Sequence, residues 1–440
     1  MKALARQMPA WALTLMPVRL ARQYASEPAP TAASSSKSAR QLLVDVSVIH
    51  QSDARTGIQR VVRALLLQLL RSPLAEYRVC PIFATRQHGY RYAAPNFLDL
   101  PPQVPSVAVS LEQADVQVAS GDLFLGLDLA AHLLPRHKAQ VLHWKRNGVR
   151  VHVVVYDLLP LQHPEWFKPK TTRNFKRWIK CLAVYADSAI CISETVKFQL
   201  NTWLNTHFDL PPTALPASTI VLGADIDASA PSGGLPADAQ FVLERLRSTP
   251  VVLMVGTLEP RKGYDQALAA FEQLWQQGTM PLLVIVGRPG WKTEALQEKL
   301  RRHPQAGQRL FWLEDVSDEY LAKLYAACGG VLIASRAEGF GLPLVEAVQH
   351  GKPVLVRDIA VFRELKVEGL TYFNSDTPQG LASAITNWIQ PVSLSAPGHT
   401  TPRFPTWQLS ATQLLHILGL QHQAPEPHAS PTAGDYRLNL

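Results

Sequence analysis

Short apolar runs alternate with longer amphipathic stretches along most of this chain. Residues 42–48 form a run typical of a buried strand, and after a polar loop containing Gly57 the apolar positions of residues 58–70 recur at helical spacing. A strand, a glycine loop and a helix in this order open a parallel α/β unit. Further short apolar runs follow at residues 123–127, 151–155 and 189–192. The pattern predicts a first domain built around a parallel sheet.

A second alternating series begins at Val251. It predicts strands at residues 251–257, 282–287, 309–313, 331–335 and 353–356. The intervening amphipathic stretches predict helices from Tyr264 and at residues 294–302, 318–328 and 342–350. Together the two series predict an α/β chain of two doubly wound parallel-sheet, Rossmann-like domains that face a cleft. Ligands of such sheets bind beyond the carboxyl ends of the strands.

Changes in composition place the domain boundaries. Residues 1–40 combine scattered basic residues with an apolar stretch well short of the roughly 20 residues that cross a bilayer, which predicts a flexible or interfacial segment. Small residues, proline and glycine at residues 228–239 are typical of a linker. The predicted divisions are the segment 1–40, a first domain at 41–227, a linker at 228–248, a second domain at 249–420 and a disordered tail at 421–440.

Composition narrows the classes of function. Of the 440 residues 47% are hydrophobic, which is enough for more than one core. The formal net charge of +8 comes from scattered Lys and Arg residues, and no run of them indicates a nucleic-acid-binding segment. The four cysteines are far apart in sequence, which favours reduced thiols over disulfides and argues against a cysteine metal site.

Two glutamates flank a glycine-containing turn in the second series. Glu338 is expected on an exposed loop and Glu346 in the following helix, on either side of Gly341. The free N–H groups of a helix amino end bind anions, and carboxylates accept hydrogen bonds from pairs of sugar hydroxyls. A ligand with hydroxyls at both ends and phosphate between them is a nucleotide sugar. The alternative interpretation is structural, with Glu338 capping the helix and Glu346 at a solvated position.

Two adjacent cations follow the first strand of the same series. Arg261 and Lys262 precede Gly263 and a predicted helix. Cations at the carboxyl end of a strand suit a diphosphate whose negative charge grows during a reaction. A basic pair in a loop is more often solvated surface. Its presence in the same domain as the paired glutamates favours an anion site.

Four motifs carry a resemblance to a known family. They are GTLEPRKG at 256–263, VGRPGWK at 286–292, VSDEYLAKLYAAC at 316–328 and SRAEGFGLPLVEA at 335–347. In this order and spacing they resemble the retaining glycosyltransferases of family 4, which have the GT-B fold. The first half is similar to a bacterial branch of that family, the polysaccharide and O-antigen mannosyltransferases. The similar segments are TGIQRVVR, VVYDLLPLQHPEWF, ADSAICISE and LGAD, which begin at residues 56, 154, 186 and 222.

The resemblance implies roles for individual residues. It places Arg261 and Lys262 on the donor diphosphate and Glu338 on hydroxyls of the transferred sugar, and these are the catalytic residues that we predict. Donor binding is implied for Thr56 and Gly57 in the first domain, and for Leu313, Val316, Gly339, Phe340, Gly341, Leu342 and Glu346 in the second. Within that set Glu346 would hold the ribose, and the region of Leu313 and Val316 would hold the base.

The resemblance also implies an acceptor side in the first domain. Tyr156, Asp157 and His163 are its predicted residues. Tyr156 replaces the histidine of the family's usual His-Asp pair, so a contact that the family makes through that histidine is not implied here. The acceptor itself would be a glycan or a lipid-linked molecule.

The implied function is transfer of a hexose, with mannose favoured, from a nucleotide diphosphate sugar, with retention of the anomeric configuration. GDP-mannose is the favoured donor, ahead of UDP- and dTDP-linked sugars, and the expected product is a surface polysaccharide such as O-antigen, capsule or exopolysaccharide. Because the cation pair can stabilise a leaving diphosphate, neither a metal nor another cofactor is expected.

The resemblance predicts a cytoplasmic protein without a nucleic-acid partner, and leaves open whether it contacts the inner face of the membrane. The sequence leaves two alternative functions open. One is a nucleotide-sugar epimerase of the GT-B fold, and the other is a noncatalytic carbohydrate-binding protein.

Overall fold

The structure of the chain is a computed structural model, which describes residues 8–26, 39–94, 97–98, 114–225, 231–247, 250–279, 281–389 and 404–420. Within these ranges the chain forms one sheet of seven strands and one of six. Separate apolar clusters surround each sheet, which confirms the predicted α/β architecture of two parallel-sheet domains. The predicted tail at 421–440 lies outside the described residues.

The first sheet is parallel except at one edge. Its strand order is β3-β2-β1-β4-β5-β6-β7, and β3 runs antiparallel to β2. The strands are β1 (Arg40–Asp45), β2 (Tyr77–Phe83), β3 (Arg91–Tyr92), β4 (Leu123–Gly126), β5 (Arg150–Val155), β6 (Ser188–Cys191) and β7 (Ala217–Thr219). β1 and β5 contain consecutive apolar residues, without the alternation of apolar and polar positions, because both faces of these strands are buried. Residues 47 and 48, predicted as strand, instead begin a short helix.

Helices of the first half connect or precede these strands. They are α1 (Ala10–Leu15), α2 (Val18–Ala25), α3 (Ser47–Gln51), α4 (Gly57–Arg71), α5 (Lys138–Arg146), α6 (Leu159–Gln162), α7 (Pro169–Tyr185) and α8 (Glu194–Phe208). Helix α4 starts with a capping box, in which the Thr56 hydroxyl accepts the N–H of Gln59 and the Gln59 side chain accepts the N–H of Thr56. This cap fixes where the helix begins, and so which residues face the second domain.

Residues 8–26 of the N-terminal segment, which the sequence predicted to be flexible or interfacial, are packed against the first domain. Leu13 and Ala21 are fully buried in the first core, and α2 packs along α7. The guanidinium of Arg22 donates to the carbonyls of Ala183 and Ala186, at 2.9 and 2.6 Å. These contacts order α1 and α2 against the domain because they bury apolar surface and satisfy carbonyls at the end of α7. Across the described ranges, no helix has both the length and the apolar content that a membrane crossing requires.

The second sheet is parallel throughout, with the strand order β10-β9-β8-β11-β12-β13. Its strands are β8 (Val251–Val255), β9 (Leu282–Val286), β10 (Leu310–Leu313), β11 (Gly330–Ile333), β12 (Val354–Arg357) and β13 (Thr371–Phe373). The helices are α9 (Ala239–Arg247), α10 (Tyr264–Gln276), α11 (Glu294–Arg301), α12 (Asp318–Ala327), α13 (Leu342–Gln349), α14 (Ala360–Glu364) and α15 (Pro378–Ile389). The predicted linker at 228–248 therefore contains helix α9, which buries Val242 and Leu246 against the second core.

The last described helix crosses back to the first domain. Helix α16 (Trp407–Leu418) places Trp407, Leu414 and Leu415 in the first apolar cluster, and it packs along α4. The N–H of Trp407 donates to the Asp225 carboxylate at 2.7 Å. The predicted second domain at 249–420 assigned this helix to the other core. The structure differs because the amphipathic pattern of the helix shows that one face is buried, but not against which sheet.

Candidate functional site

The centre of the candidate site is the carboxylate of Glu338. It accepts hydrogen bonds from the Arg261 guanidinium and from the Lys262 ammonium, each at 2.5 Å. The side chain of Glu338 is only 8% exposed, so the expectation of an exposed loop residue is wrong. Burial alone would raise the pKa of Glu338, but Arg261 and Lys262 together lower it to about 2. The carboxylate is therefore ionised at neutral pH and serves as a hydrogen-bond acceptor.

A sharp turn brings the two cations to this carboxylate. Arg261 and Lys262 lie in a short 3₁₀ helix that ends at Gly263, whose φ is +70°. A Cβ at Gly263 would lie 2.5 Å from the carbonyl oxygen of Ala334, so only glycine allows the turn to pack against the end of β11. Arg261 also donates to Glu259, at 2.7 Å, and is thus held between two carboxylates. The two predicted motifs therefore meet at the carboxyl edge of the second sheet.

The loop after Glu338 lies against the first domain. A Cβ at Gly339 would lie 2.1 Å from the carbonyl oxygen of Tyr156, and the hydroxyl of Ser193 donates to the Gly339 carbonyl at 2.9 Å. The Phe340 side chain is buried in the first apolar cluster. Gly341 immediately precedes helix α13 with a φ of +106°, and no side chain of the described residues caps the helix. The uncapped helix amino end lies beside the interface between the two sheets, as an anion site in a cleft would require.

The start of helix α4 faces the start of helix α13. The position that a Cβ of Gly57 would take is 3.8 Å from the Leu342 side chain, and nothing closer surrounds Gly57 among the described residues. Thr56 lies next to this contact, with its hydroxyl engaged in the capping box. The structure thus brings the predicted donor residues Thr56 and Gly57 together with the predicted donor loop of the second domain.

The second predicted glutamate is engaged by a residue that the sequence did not single out. Arg60, one turn into helix α4, pairs with the Glu346 carboxylate, and its other terminal nitrogen donates to Asp318 at 2.6 Å. The Tyr325 hydroxyl donates to the second Glu346 oxygen at 2.9 Å. The coulombic attraction of Glu346 is the largest influence on Arg60 and raises its pKa. A ribose at Glu346 would therefore share this carboxylate with Arg60 and Tyr325.

This contact across the domains predicts that two arginines contribute differently to the free energy of unfolding. Arg60→Ala will lower the free energy of unfolding by about 1–3 kcal/mol, because it leaves the buried Glu346 without its cation. Arg55→Ala is the matched control, since Arg55 also pairs with Asp318, but at 3.6 Å and with a side chain that is 46% exposed. We expect it to cost less than about 1 kcal/mol. Urea denaturation of both variants measures the difference, and equal losses would contradict the assignment of a buried pair.

On the acceptor side, the three predicted residues have different surroundings. The Tyr156 ring is buried in the first core, and its hydroxyl donates to the Leu127 carbonyl at 2.7 Å, so only its backbone reaches the second domain. Burial raises the pKa of Asp157, which the charge of Arg261 partly offsets, to about 6. The His163 ring stacks on Trp166 at a centroid distance of 3.9 Å and is partly exposed. Of the three, Asp157 therefore lies closest to the cluster of Arg261, Lys262 and Glu338.

The segment after His163 forms a further bridge between the domains. The Trp291 indole donates to the Trp166 carbonyl at 2.9 Å, and Lys292 donates to the Glu165 carbonyl at 2.6 Å. The same motif that resembles the family, residues 286–292, therefore contacts the acceptor side. Neither tryptophan was predicted as a site residue, because a partner 125 positions away leaves no local pattern.

The region predicted to hold the base lies at the end of β10. Leu313 and Val316 are partly buried against the second core, and the carbonyl of Leu313 accepts the N–H of Gly287 at 2.9 Å. The loop between them leads directly into helix α12, which carries Asp318. This places the two apolar residues near the Arg60 network, at the same edge of the sheet as Glu346.

Two buried aspartates lie at the carboxyl ends of neighbouring strands in the first domain, Asp45 as the last residue of β1 and Asp128 two residues after β4. Asp128 accepts the N–H groups of Val48 and Ile49, both at 2.8 Å, while its other oxygen has no partner among the described residues. Burial, with a contribution from the charge of Asp45, raises the pKa of Asp128 to about 7. Burial likewise raises the pKa of Asp45 to about 6. The pair therefore favours a protonated carboxyl inside the domain.

Stability should accordingly fall as pH rises. Asp128 binds its proton more tightly in the folded than in the unfolded chain, so the free energy of unfolding decreases between about pH 4 and pH 7, by on the order of 2–4 kcal/mol. Asp128→Asn should remove this part of the pH dependence of the free energy of unfolding. A smaller part, which comes from the titration of Asp45, should remain. Asp115→Asn, at an exposed ion pair with Arg91, is the control and should leave the slope unchanged. Urea denaturation at pH 5 and pH 7.5 measures it, and identical slopes in all three proteins would contradict the assignment.

A divalent cation would need several carboxylate or imidazole ligands close together within the described ranges. No group of three or more His, Cys, Asp and Glu side chains comes together there in a geometry for a metal. The sequence has one Asp-x-Asp triplet, at residues 225–227. Its first residue, Asp225, accepts a hydrogen bond from the N–H of Trp407. Residue 227 lies outside the described ranges. The expected independence of metals remains a prediction.

Comparison with known proteins shows what this chain is similar to. Residues 238–392 match the family model described as glycosyl transferases group 1. The chain is 42% identical over 382 residues to the serotype-specific mannosyltransferase WbdA of Escherichia coli, a match that covers 86% of this chain and 45% of WbdA. It is 30% identical over 235 residues to the O-antigen chain mannosyltransferase RfbU of Salmonella typhimurium, covering 53% of this chain and 60% of RfbU. The chain thus spans about half the length of the curated relatives it matches.

Solved structures agree on the fold. Sucrose-phosphate synthase from Thermosynechococcus elongatus aligns with a TM-score of 0.59 and 18% identity, over 86% of this chain and 98% of that one. Anabaena HepE in complex with UDP and glucose aligns with a TM-score of 0.54 and 18% identity, over 86% and 95% of the two chains. Both have the GT-B fold, as the sequence predicted for this chain. These likenesses show that the chain has the GT-B fold, and the family match shows a glycosyl transferases group 1 domain at residues 238–392.

Proposed function

We propose that this protein transfers a hexose, with mannose favoured, from a nucleotide diphosphate sugar to a glycan or lipid-linked acceptor in the synthesis of a surface polysaccharide. The observation that carries the proposal is the buried cluster of Glu338 with Arg261 and Lys262 at the carboxyl edge of the second sheet. The names of its relatives support mannose as the sugar. GDP-mannose is accordingly the donor that we propose first. UDP sugars come second, since the HepE structure contains UDP-glucose.

Departure of the nucleoside diphosphate is the step that most needs stabilisation. Negative charge grows on the leaving phosphate, and Arg261 and Lys262 already stand at the cleft edge of the sheet to receive it. Their side chains are 16% and 11% exposed, so little water screens their charge. The amino end of helix α13 adds the partial positive charge of its dipole. These groups are in place before the reaction, so they need no reorganisation during it.

Glu338 has a different role in this proposal. Because its pKa is about 2, it has no proton to donate at neutral pH and cannot act as a general acid. Two cations on its oxygens also reduce its strength as a nucleophile. It therefore orients the transferred sugar by accepting hydrogen bonds from the hydroxyls. Retention of configuration then follows from a front-face reaction, in which the departing phosphate takes the proton of the acceptor hydroxyl.

The acceptor would approach from the first domain. Asp157 and His163 lie on that side, and the contacts of Trp291 and Lys292 with residues 165–166 join it to the donor domain. A lipid-linked acceptor is held at a membrane surface. Peripheral contact with the inner face of the membrane in the cytoplasm is therefore part of the proposal.

A nucleotide screen tests the donor site directly. GDP, UDP, dTDP and ADP are each added to the purified protein in EDTA, and the unfolding temperature is measured. We expect GDP to raise it by several degrees at concentrations of about 100 times its dissociation constant, because a ligand of the native state alone stabilises it by about 2.7 kcal/mol there. Guanosine without phosphates is the control and should have little effect. If a nucleoside diphosphate binds only when Mg²⁺ is present, metal independence is wrong, and if none binds at all, the transferase proposal fails.

A further inference from the structure

A cavity of about 610 Å³ lies in the first domain, between helix α7, the loop that follows β4 and the N-terminal helix α1. The described residues of its lining include no Asp or Glu. They include six basic side chains, which are Arg86, Arg136, Lys138, Lys170, Arg177 and Lys180. We call it the basic cavity. Its size and charge suit a multiply charged anion that is larger than an inorganic ion.

Among the described residues, no carboxylate neutralises the charge of the basic cavity. None of its six cations forms an ion pair with a residue of the described ranges. Lys180 donates to the carbonyl of Thr14 at 2.7 Å, and Lys138 donates to its hydroxyl at 3.4 Å. Burial, together with the charges of Arg86 and Lys170, lowers the pKa of His132 in the wall. The cavity is therefore a region of positive potential that attracts anions.

The helical spacing of α7 arranges the cavity wall. Lys170, Asn174, Arg177 and Cys181 follow one another at intervals of three or four residues, so they share one face of the helix. This face continues to Val184 and Tyr185, which are buried. A ligand along this face would meet two cations and an amide first and an apolar floor beyond them. That order suits a phosphate group joined to an apolar chain.

The helix that closes one side of the basic cavity exposes apolar side chains to solvent. Thr14 of α1 is part of the lining, while Trp11 and Leu15 of the same helix are 65% and 79% exposed. The rest of α1 and α2 is anchored, since Leu13 is fully buried. Tryptophan beside basic side chains is typical of protein surfaces that lie at a membrane interface. The two exposed side chains are thus an observation independent of the cavity itself.

We propose that the basic cavity binds the phosphate groups of a lipid at the membrane surface, with Trp11 and Leu15 in the boundary between head groups and acyl chains. The inference rests on the proposed function, because it locates the membrane contact that a lipid-linked acceptor needs. The end of the basic cavity at Lys170 lies near the start of helix α7, on the side of the first domain that contacts the second. Helix α7 begins two residues after Phe167, whose ring is 5.9 Å from that of Trp291 in the donor domain. The lipid would therefore be bound next to the cleft.

The test compares two pairs of charge reversals that change the net charge equally. Lys170→Glu with Arg177→Glu alters the basic cavity, and neither side chain holds the N-terminal helix. Arg302→Glu with Lys323→Glu is the control in the second domain, where both cations form only exposed i,i+4 pairs. A third protein carries Trp11→Ser. Each protein, with all 440 residues, is sedimented with vesicles of phosphatidylcholine containing phosphatidylglycerol, and with phosphatidylcholine vesicles alone. Each is also titrated with inorganic pyrophosphate.

We expect the unaltered protein to bind anionic vesicles and not neutral ones. The cavity variant should bind them at least about tenfold more weakly, and the control within about twofold. Trp11→Ser should weaken vesicle binding and leave pyrophosphate binding unchanged, since it removes only the apolar contact. Equal losses in the cavity variant and the control would overturn the proposal in favour of a general effect of charge. Binding of pyrophosphate without binding of vesicles would also overturn it, because the ligand would then be a soluble phosphate compound.

The same proteins separate this inference from the proposed function. The rise in unfolding temperature with GDP should be the same in the cavity variant as in the unaltered protein, because the donor cluster lies in the other domain. A lost vesicle interaction with an intact GDP response supports the basic cavity. A protein that binds vesicles through the cavity but no nucleoside diphosphate would retain this lipid site while refuting the transferase.

Discussion

Turnover will fall at least about a thousandfold when Arg261 and Lys262 are both replaced by alanine, because loss of one group that stabilises transition-state charge typically costs a hundred- to a thousandfold. Both cations reach the same buried carboxylate, and they stand where a donor diphosphate would gain negative charge. Charge that grows during the reaction is stabilised most in the transition state, so the loss should appear in kcat more than in KM. Steady-state kinetics with GDP-mannose and a polysaccharide acceptor measure it.

A neighbouring arginine supplies the control. Arg336 lies in the loop that leads to Glu338, but its side chain pairs with Asp265 at 3.1 Å and is 30% exposed. Arg336→Ala should change kcat by less than about threefold, as expected for a partly exposed ion pair outside the reaction. Circular dichroism and the folded fraction are recorded for both proteins. If the double variant is folded and its turnover is unchanged, the cation pair has no part in the mechanism.

Stability and turnover will both suffer when Glu338 is replaced by alanine. The substitution leaves two buried cations without their common partner, which costs about 3–5 kcal/mol of the free energy of unfolding. GDP should restore much of this loss, since its phosphates offer the cations a new partner. Glu338→Gln keeps the shape and one acceptor oxygen, and should cost less stability. The turnover of each folded molecule should still fall in both variants, because the hydroxyls of the sugar lose a charged acceptor.

A variant of Glu259 distinguishes two roles of Glu338, which are to hold Arg261 in place and to accept hydrogen bonds from the sugar. It also pairs with Arg261 and is 10% exposed, so Glu259→Gln perturbs the same cation from its other side. If its turnover falls as far as that of Glu338→Gln, then Glu338 serves only to hold Arg261.

The titration of Glu338 changes the free energy of unfolding with pH in the opposite direction from the titration of Asp128. Its pKa is depressed from 4.5 to about 2, so the stability that it contributes is present above about pH 4.5 and is lost as the pH falls towards 2. Acid unfolding of Glu338→Gln should lack this contribution.

Local periodicity predicted most of the regular elements to within a few residues. Helix α10 begins at Tyr264 as predicted, and α13 begins at Leu342. These elements alternate without long interruptions, and each has one buried face, so the spacing of apolar residues is enough to place them. The prediction was wrong at residues 47–48, where a short helix follows the strand directly, because Val46 and Val48 continue the apolar run of the strand.

The surroundings of the predicted site residues could not be read from local patterns. Glu346 was predicted near the donor, yet its partner Arg60 is 286 positions away. The amino end of helix α8 has a similar contact, since Glu364 accepts the N–H groups of Glu194 and Thr195 at 2.6 and 2.8 Å from the other domain. Charged residues on a helix surface have the same sequence pattern whether they meet solvent or a second domain. Their partners are decided only when the domains meet.

The sequence by itself determined the two α/β halves, the positions of the glycine turns and the charged residues at the carboxyl edge of the second sheet. It could do so because strands, helices and the loops at strand ends depend on short-range spacing and on residue type. Tertiary structure alone decided that Glu338 is buried between two cations and that α16 returns to the first core. It also decided that the basic side chains of α7 and two neighbouring loops line a single cavity. Each of these outcomes depends on contacts between distant segments, whose free energy of burial and charge pairing exists only in the folded chain.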